Sequence, residues 1–456
     1  MNFSRVWACA LILIGFAVGA RGAAALDAPN PQRHARATEP HLTVPHRAAS
    51  HHAASTHTAR PGSRPATRST NAHATHPTAA RARATHPATR ATAAHSPAHP
   101  TARGNARANA RRAATTTARR RHRYYERFTA SSYARGDFLA GDVTAGEDPV
   151  VRQAAIDALG DMNGTAVVID PSNGRILAMV NQKLALSPGA EPCSTIKLTV
   201  AMAALSEGLV TRDTPVKLAG FRMNMTQALA KSNNLYFEEL GRELGFDRVR
   251  YYANQYGLGE LAGYNIEGEQ LGIYPDQELP ASQGGVGRMC SFGQGVSLTP
   301  LQLGAYVAAI ANGGTLYYLQ HPTTPYEAAA FQPRVKRNLD IARYVPDIED
   351  GMAGAVEYGT ARSLRSSFRE LPVFGKTGTC SDKGTRFGWF ASWSDSPQGS
   401  LVTVFFLEGG RPTFGPRAAE LTGAFYRNLW DSNWFAAKGQ QDSAAIPPAP
   451  SRQAQP

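Results

Sequence analysis

Ser194-Thr195-Ile196-Lys197 sets a hydroxyl and an amine three residues apart, a spacing that brings two side chains to one face of a helix. A serine attacks an acyl carbon when a neighbouring base takes its proton. Histidine is the usual base, yet His321 is the only histidine from Tyr124 onward, and Gln320, Pro322 and Thr323 around it predict an exposed turn. A Ser-His-Asp triad therefore lacks a base, and the task falls to Lys197. Lysine accepts a proton only when uncharged, and both burial and the positive charge of Lys376 would lower its pKa. Ser194 is expected in the first turn of its helix, where free amides and the helix dipole favour developing negative charge.

Two further segments follow in chain order. Ser232-Asn233-Asn234 stands between helical stretches at 225–231 and 236–244. There Ser232 is expected to relay a proton toward the leaving group, while Asn234 holds a substrate amide through its donor and acceptor atoms. Lys376-Thr377-Gly378-Thr379 is expected to form a strand edge along the cleft. Lys376 supplies charge, and Thr377, Gly378 and Thr379 contact substrate: Gly378 removes a side chain where substrate backbone comes close, and the Thr379 hydroxyl suits a terminal carboxylate. The amides of Ser194 and Thr379 are the natural pair to face an oxyanion. Taken singly, the segments differ in specificity. Ser-x-Asn recurs at Ser69-Thr70-Asn71 in a stretch that cannot be catalytic, whereas Lys-Thr-Gly occurs once in a chain with eight lysines. The order of the three carries the weight.

The elements that must position these residues are legible between Tyr124 and about Asn433. Apolar runs at 165–170 and 176–180 flank the turn Pro171-Ser172-Asn173-Gly174 and predict a hairpin. A helix is expected over 195–209 with Gly208 as its C-terminal cap. Runs at 387–393 and 401–407 read as strands following Lys-Thr-Gly-Thr, 415–430 as a closing helix, and the Pro- and Gln-rich end, 434–456, as a frayed or disordered tail.

Ahead of this region the composition changes twice. Residues 1–25 carry Arg5, an apolar run from Val6 to Val18 and then small residues, the pattern of a signal peptide. The run is shorter than the roughly 20 residues of a spanning helix, which favours cleavage over an uncleaved anchor. Either outcome exports the chain to the periplasm or cell envelope. Residues 26–123 are rich in Arg, His, Ala, Thr and Pro and too poor in large apolar residues to offset the entropy of ordering, so disorder is expected. From Asp27 to Arg123 the net charge is +15, against +13 for the whole chain, so the region from Tyr124 onward is acidic overall. The basic tail suits anionic envelope polymers or a membrane surface, and nucleic acid is not an expected partner of an exported arm. A solvated spacer is the alternative, spanning on the order of 50–60 Å as a flexible coil. Twelve of the 13 histidines lie in this tail without fixed ligand spacing, and no short Cys-x-x-Cys exists, so neither metal nor cofactor is expected.

From about Gly164 to Trp430 the chain resembles the transpeptidase domain of penicillin-binding proteins. The likeness rests on the three motifs together with Ala-Leu-Ala-Lys-Ser-Asn-Asn at 228–234, Phe292-Gly-Gln-Gly295, Leu298-Thr-Pro-Leu-Gln302, Ala311-Asn-Gly-Gly314 and Gly359-Thr-Ala361. It implies an α/β (α+β) fold: a central antiparallel sheet flanked by helices, a mostly helical lobe, and the active-site cleft between them. It also implies acylation of Ser194 by D-Ala-D-Ala stem peptides of peptidoglycan, release of D-alanine, transfer to an amine or to water, and acylation by β-lactams. Cys193 departs from the pattern, standing where the family usually has glycine.

Cys193, Cys290 and Cys380 remain after the signal segment, in an exported setting that permits disulfides. If Ser194 and Thr379 share an oxyanion, Cys193 and Cys380 come close enough for a bond, with three buried thiols as the alternative. Rival functions are a D,D-carboxypeptidase, a β-lactamase, and a non-catalytic penicillin-binding sensor or wall-binding module. A lactamase would need fast deacylation, and its one echo here is Tyr252-Ala253-Asn254 in a helical, charged stretch.

Overall fold

The computed structural model describes residues 127–397 and 399–438. The expected signal segment and the arginine-rich tail lie outside the described residues.

Five antiparallel strands form the central sheet, in the order β2-β1-β9-β8-β7: β1 (Gly164–Asp170), β2 (Arg175–Val180), β7 (Val373–Asp382), β8 (Thr385–Ser394) and β9 (Leu401–Gly409). Two small hairpins, β3 (Val216–Leu218) with β4 (Phe221–Met223) and β5 (Thr315–Tyr317) with β6 (Val335–Asn338), sit apart from it. Period-two alternation divides the sheet's side chains between two cores. Val167, Ile169, Trp389, Ala391, Val404 and Phe406 enter the core shared with the helical lobe. Ala166, Val168, Phe390, Phe405 and Leu407 enter the core on the opposite face. With both faces covered, β1 is buried at every position, which is why it reads as an unbroken apolar run.

On the outer face, α1 (Pro149–Leu159) and α9 (Gly415–Asp431) pack together against the sheet. Asp148 caps α1 by accepting from the amides of Val150 and Val151, and Pro149 occupies its first turn. The other side is the helical lobe: α2 (Lys197–Ser206), α3 (Met225–Ala230), α4 (Asn234–Leu244), α5 (Phe246–Gln255), α6 (Gly285–Phe292), α7 (Pro300–Ala311) and α8 (Val345–Glu357). Helix α2 is buried along almost its whole length and packs against α4 and α5. A capping box formed by Thr299 and Gln302 starts α7.

The antiparallel sheet, its hairpin and the strands and helix after Lys-Thr-Gly-Thr match the expectation. Four details differ. Ser194 sits in a 3-10 turn, Cys193–Ile196, that runs into α2, rather than in the first turn of an α-helix. The α-helix itself ends at Ser206, with Gly208 beyond it at φ 64. His321 is not exposed: its side chain is 5% accessible and its Nε2 lies 2.8 Å from Glu147 Oε1. The Glu147 carboxylate also meets Arg152 and accepts from the Met179 amide, a buried polar cluster that draws the imidazole inward. Finally, order does not stop at 433. Trp434 and Phe435 are buried in the outer core, Trp434 Nε1 donates to Asp148 Oδ2 at 2.8 Å, and Lys438 pairs with Asp170 at 3.0 Å. Two aromatic rings hold that segment where its composition predicted fraying.

Candidate active site

The three segments read from the sequence meet between β7 and the lobe. Lys197 Nζ, with its side chain fully buried, lies 2.8 Å from Ser194 Oγ, 2.6 Å from Asn234 Oδ1, 3.0 Å from the Ser232 carbonyl and 3.2 Å from Ser232 Oγ. An uncharged amine has two N–H donors and one lone pair. The Asn234 and Ser232 carbonyl oxygens can only accept, so they take the two N–H groups. That leaves the lone pair for the Ser194 hydroxyl proton, the arrangement a general base requires.

Lys376, equally buried, reaches Ser232 Oγ from the other side at 2.8 Å and donates to the Thr377 carbonyl at 2.9 Å. Burial drives the Lys197 ammonium well below the ordinary lysine range, with the charge of Lys376 pushing the same way and Glu238 opposing. Burial also brings Lys376 down to about 7. Two amines flanking one hydroxyl in a dry site do not both hold a full charge, so the pair titrates as a unit. Ser232 sits between them at φ 52, a backbone position uncommon for a residue with a side chain.

Local chemistry explains each placement. The nucleophile turn is tied by the Thr195 amide and hydroxyl to the Pro192 carbonyl, at 3.1 and 2.7 Å. Asn233 caps α4 through the Tyr236 amide, which fixes the Ser232 loop from behind. Beneath that loop α8 and its exit approach α3 closely. A Cβ on Gly351 would stand 2.6 Å from Leu229 Cβ, and one on Gly359 would stand 2.1 Å from the Ala230 carbonyl oxygen. Strand β7 zips to β8 over ten residue pairs and turns at Lys383-Gly384, both at positive φ, as a tight two-residue hairpin prefers.

Alternation along β7 separates the residues of the third motif. Lys376 faces Ser232, and a Cβ on Gly378 would come within 2.8 Å of the Pro192 carbonyl oxygen. The Cβ side of Gly378 thus faces the turn that carries Ser194. Thr377 is buried, with its hydroxyl 2.7 Å from that of Thr360. Thr379 is partly exposed, and its Oγ1 accepts from the Gly415 amide at the start of α9, keeping its own proton to donate.

Sequence reasoning passed over Thr360 as a site residue. Its amide donates to the Ala230 carbonyl at 3.2 Å while its hydroxyl meets Thr377, so one residue bridges the Ser232 loop and β7. Its place within Gly359-Thr360-Ala361 was the available signal. Cys193 and Cys380 are joined by a disulfide with Cα atoms 5.5 Å apart, and Cys290 is free and buried. Tyr252 and Asn254 do not enter this site. The Tyr252 hydroxyl donates to Glu207 and the Asn254 carbonyl accepts from Arg337. Among the described residues no group of three or more His, Cys, Asp or Glu could hold a metal ion, and no helix is long and apolar enough to cross a membrane.

Comparison with known proteins follows the same lines. Residues 164–424 match the family model of the penicillin binding protein transpeptidase domain. Stage V sporulation protein D of Bacillus subtilis is 30% identical over 318 residues, 58% of this chain and 48% of that protein. Peptidoglycan D,D-transpeptidase MrdA of Acinetobacter baumannii is 25% identical over 344 residues, 59% of this chain and 50% of that protein. Peptidoglycan D,D-transpeptidase FtsI of Escherichia coli is 27% identical over 184 residues, covering 33% and 31%. The chain spans half or less of the length of these relatives. The crystal structure of Pseudomonas aeruginosa PBP2 in complex with WCK 5153 shares the fold, with a TM-score of 0.54 at 21% identity over 64% of this chain and 78% of that one. Since the matched segment runs from β1 into α9 and takes in more than half of the 456 residues, the chain belongs to the penicillin-binding protein transpeptidase domain family.

Proposed function

We propose that the chain is a serine D,D-transpeptidase of the cell envelope that acts on D-Ala-D-Ala stem peptides of peptidoglycan and is acylated by β-lactams. The observation that carries this reading is the buried Lys197 amine within 3.0 Å of two carbonyl oxygens and 2.8 Å from the Ser194 hydroxyl, so that an uncharged amine can turn its lone pair to that hydroxyl.

Ser194 Oγ attacks the carbonyl carbon between the two D-alanines while its proton passes to Lys197 Nζ. The negative oxygen of the tetrahedral intermediate is assigned to the amides of Ser194 and Thr379. Ser232, hydrogen-bonded to both lysines, relays a proton to the departing amine, D-alanine leaves, and the ester on Ser194 remains. An acceptor amine then attacks that ester by the reverse sequence. Asn234 orients Lys197 and substrate together, the Thr379 hydroxyl donates to the substrate carboxylate, and the buried charge shared by the lysines draws that carboxylate in. The leader expected from the sequence would deliver this site to the wall side of the membrane. A lactamase reading has no support from Tyr252 or Asn254, since both are engaged elsewhere.

Intact-protein mass after exposure to a penicillin tests the reading. The wild type is expected to gain one long-lived adduct and Ser194→Ala none. Adduct formation on Ser194→Ala, or continuous turnover of the drug by the wild type, would overturn it.

A further inference from the structure

The Cys193–Cys380 bond joins the residue immediately before the nucleophile to the residue immediately after Thr379. The amides assigned to the oxyanion, those of Ser194 and Thr379, are therefore each one residue from the crosslink. We propose that this disulfide is a thiol-exchange site that sets the oxyanion end of the cleft, so that its reduction slows acylation of Ser194. This rests on the serine acyl-transfer reading given above.

Three observations support it. Cys193 is held at φ 52, in the left-handed region that a residue with a side chain avoids, one position from the reacting hydroxyl. A backbone in that state persists when its surroundings over-determine it. The crosslink does so from one side and Gly293 from the other, where a Cβ would stand 2.6 Å from Pro192 and 3.2 Å from the Cys193 amide nitrogen. Releasing Cys193 frees this turn to relax and to carry the Ser194 amide with it.

The second observation is access. Cys193 is fully buried, whereas Cys380 is only partly buried and lines a cavity of about 980 Å³ together with Glu191, Arg288, Phe292 and Thr379. A thiolate from a small dithiol can enter that cavity and attack Cys380 Sγ. A new sulfur–sulfur bond forms at Cys380, the old one breaks, and Cys193 leaves as a thiolate that takes a proton. The second thiol of the dithiol then displaces Cys380 and departs as the oxidised disulfide, two electrons having passed to the protein.

The third observation sets the size of the effect. Contacts independent of the bond still hold the nucleophile turn to the sheet: Trp389 Nε1, on β8, donates to the Glu191 carbonyl at 3.0 Å, and Gly378 of β7 lies against Pro192. Reduction should therefore misplace an oxyanion donor rather than remove it, slowing acylation about tenfold where complete loss of a donor costs more.

The test is the rate of labelling of the full chain by fluorescent penicillin, oxidised and after dithiothreitol, with thiol content counted by alkylation and mass. Oxidised wild type should label on Ser194, the reduced form about tenfold more slowly, and reoxidation should restore the rate. Cys380→Ala should label at the reduced rate and ignore dithiothreitol, while Cys290→Ala should keep the full response of the wild type. A melting curve on each sample separates a lowered rate from unfolding. An unchanged rate in fully reduced, folded wild type would overturn the proposal, as would an equal slowing of Cys380→Ala by dithiothreitol. Absence of labelling in the oxidised wild type would instead refute the serine reading on which it rests.

Discussion

The two serine-bearing segments of the cleft are secured by opposite means. The Ser194 turn is fastened to β7 by a covalent bond and to β8 by a tryptophan hydrogen bond, close to an accessible cavity. The Ser232 loop is held without a crosslink, by hydrogen bonds and by packing, with glycines on α8 and its exit allowing helix to meet helix and Thr360 spanning the gap to β7. A crosslink can be opened by chemistry and closed again, whereas a packed contact yields only when a side chain changes. If the proposed thiol exchange operates, the Ser194 turn is the adjustable seat and the Ser232 loop the fixed one.

Substitutions on the packed side sharpen this contrast, and the largest effect is expected where both segments converge. Lys376→Met removes an amine that touches Ser232 and should lower the rate of penicillin labelling by about a hundredfold or more. It should also change stability in a pH-dependent way. The folded pKa of Lys376, about 7, lies below its unfolded value, so the folded chain binds fewer protons between about 7 and 10 and wild-type stability rises with pH across that window. Melting curves should show Lys376→Met gaining most over wild type below pH 7, with the gain fading toward about pH 10. A gain that grew with pH would contradict the assigned burial of the charge.

Gly359→Ala forces a methyl group against the Ala230 carbonyl oxygen and should cost about 1–3 kcal/mol of stability, with slower labelling at temperatures where the protein is still folded. Denaturant unfolding and labelling on the same sample check both halves. The smallest effect belongs to Thr360→Val, which keeps the shape but removes one hydroxyl of a partly buried pair. About 1 kcal/mol and less than a tenfold loss in labelling rate are expected, with no change in the response to dithiothreitol. A strong response change in that variant would mean that the two seats are coupled.

Much of this was written in local sequence. The three motifs, read in order, marked the segments that meet in the folded chain before any distance was known, and apolar runs marked the hairpin and the last strands of the sheet. What escaped depended on partners far along the chain. His321 looks exposed beside Gln320 and Pro322 because its partner, Glu147, is 174 residues away. Thr360 is an ordinary threonine until the Ser232 loop and β7 are known to meet over it. Gly378 was expected to make room for substrate, and only the folded chain shows that its Cβ side faces Pro192. The possible Cys193–Cys380 bond was visible only as a consequence of a shared oxyanion, since nothing local pairs two cysteines 187 residues apart.

The rings of Trp434 and Phe435 also hold the chain to the fold past Asn433. An alanine- and proline-rich terminus invites trimming just after Asn433, yet that cut would strip the lid from the apolar layer beneath α1 and leave Asp148 and Asp170 without their indole and ammonium neighbours. The described fold thus reaches Lys438, held by two aromatic plugs rather than marked off by a change in composition.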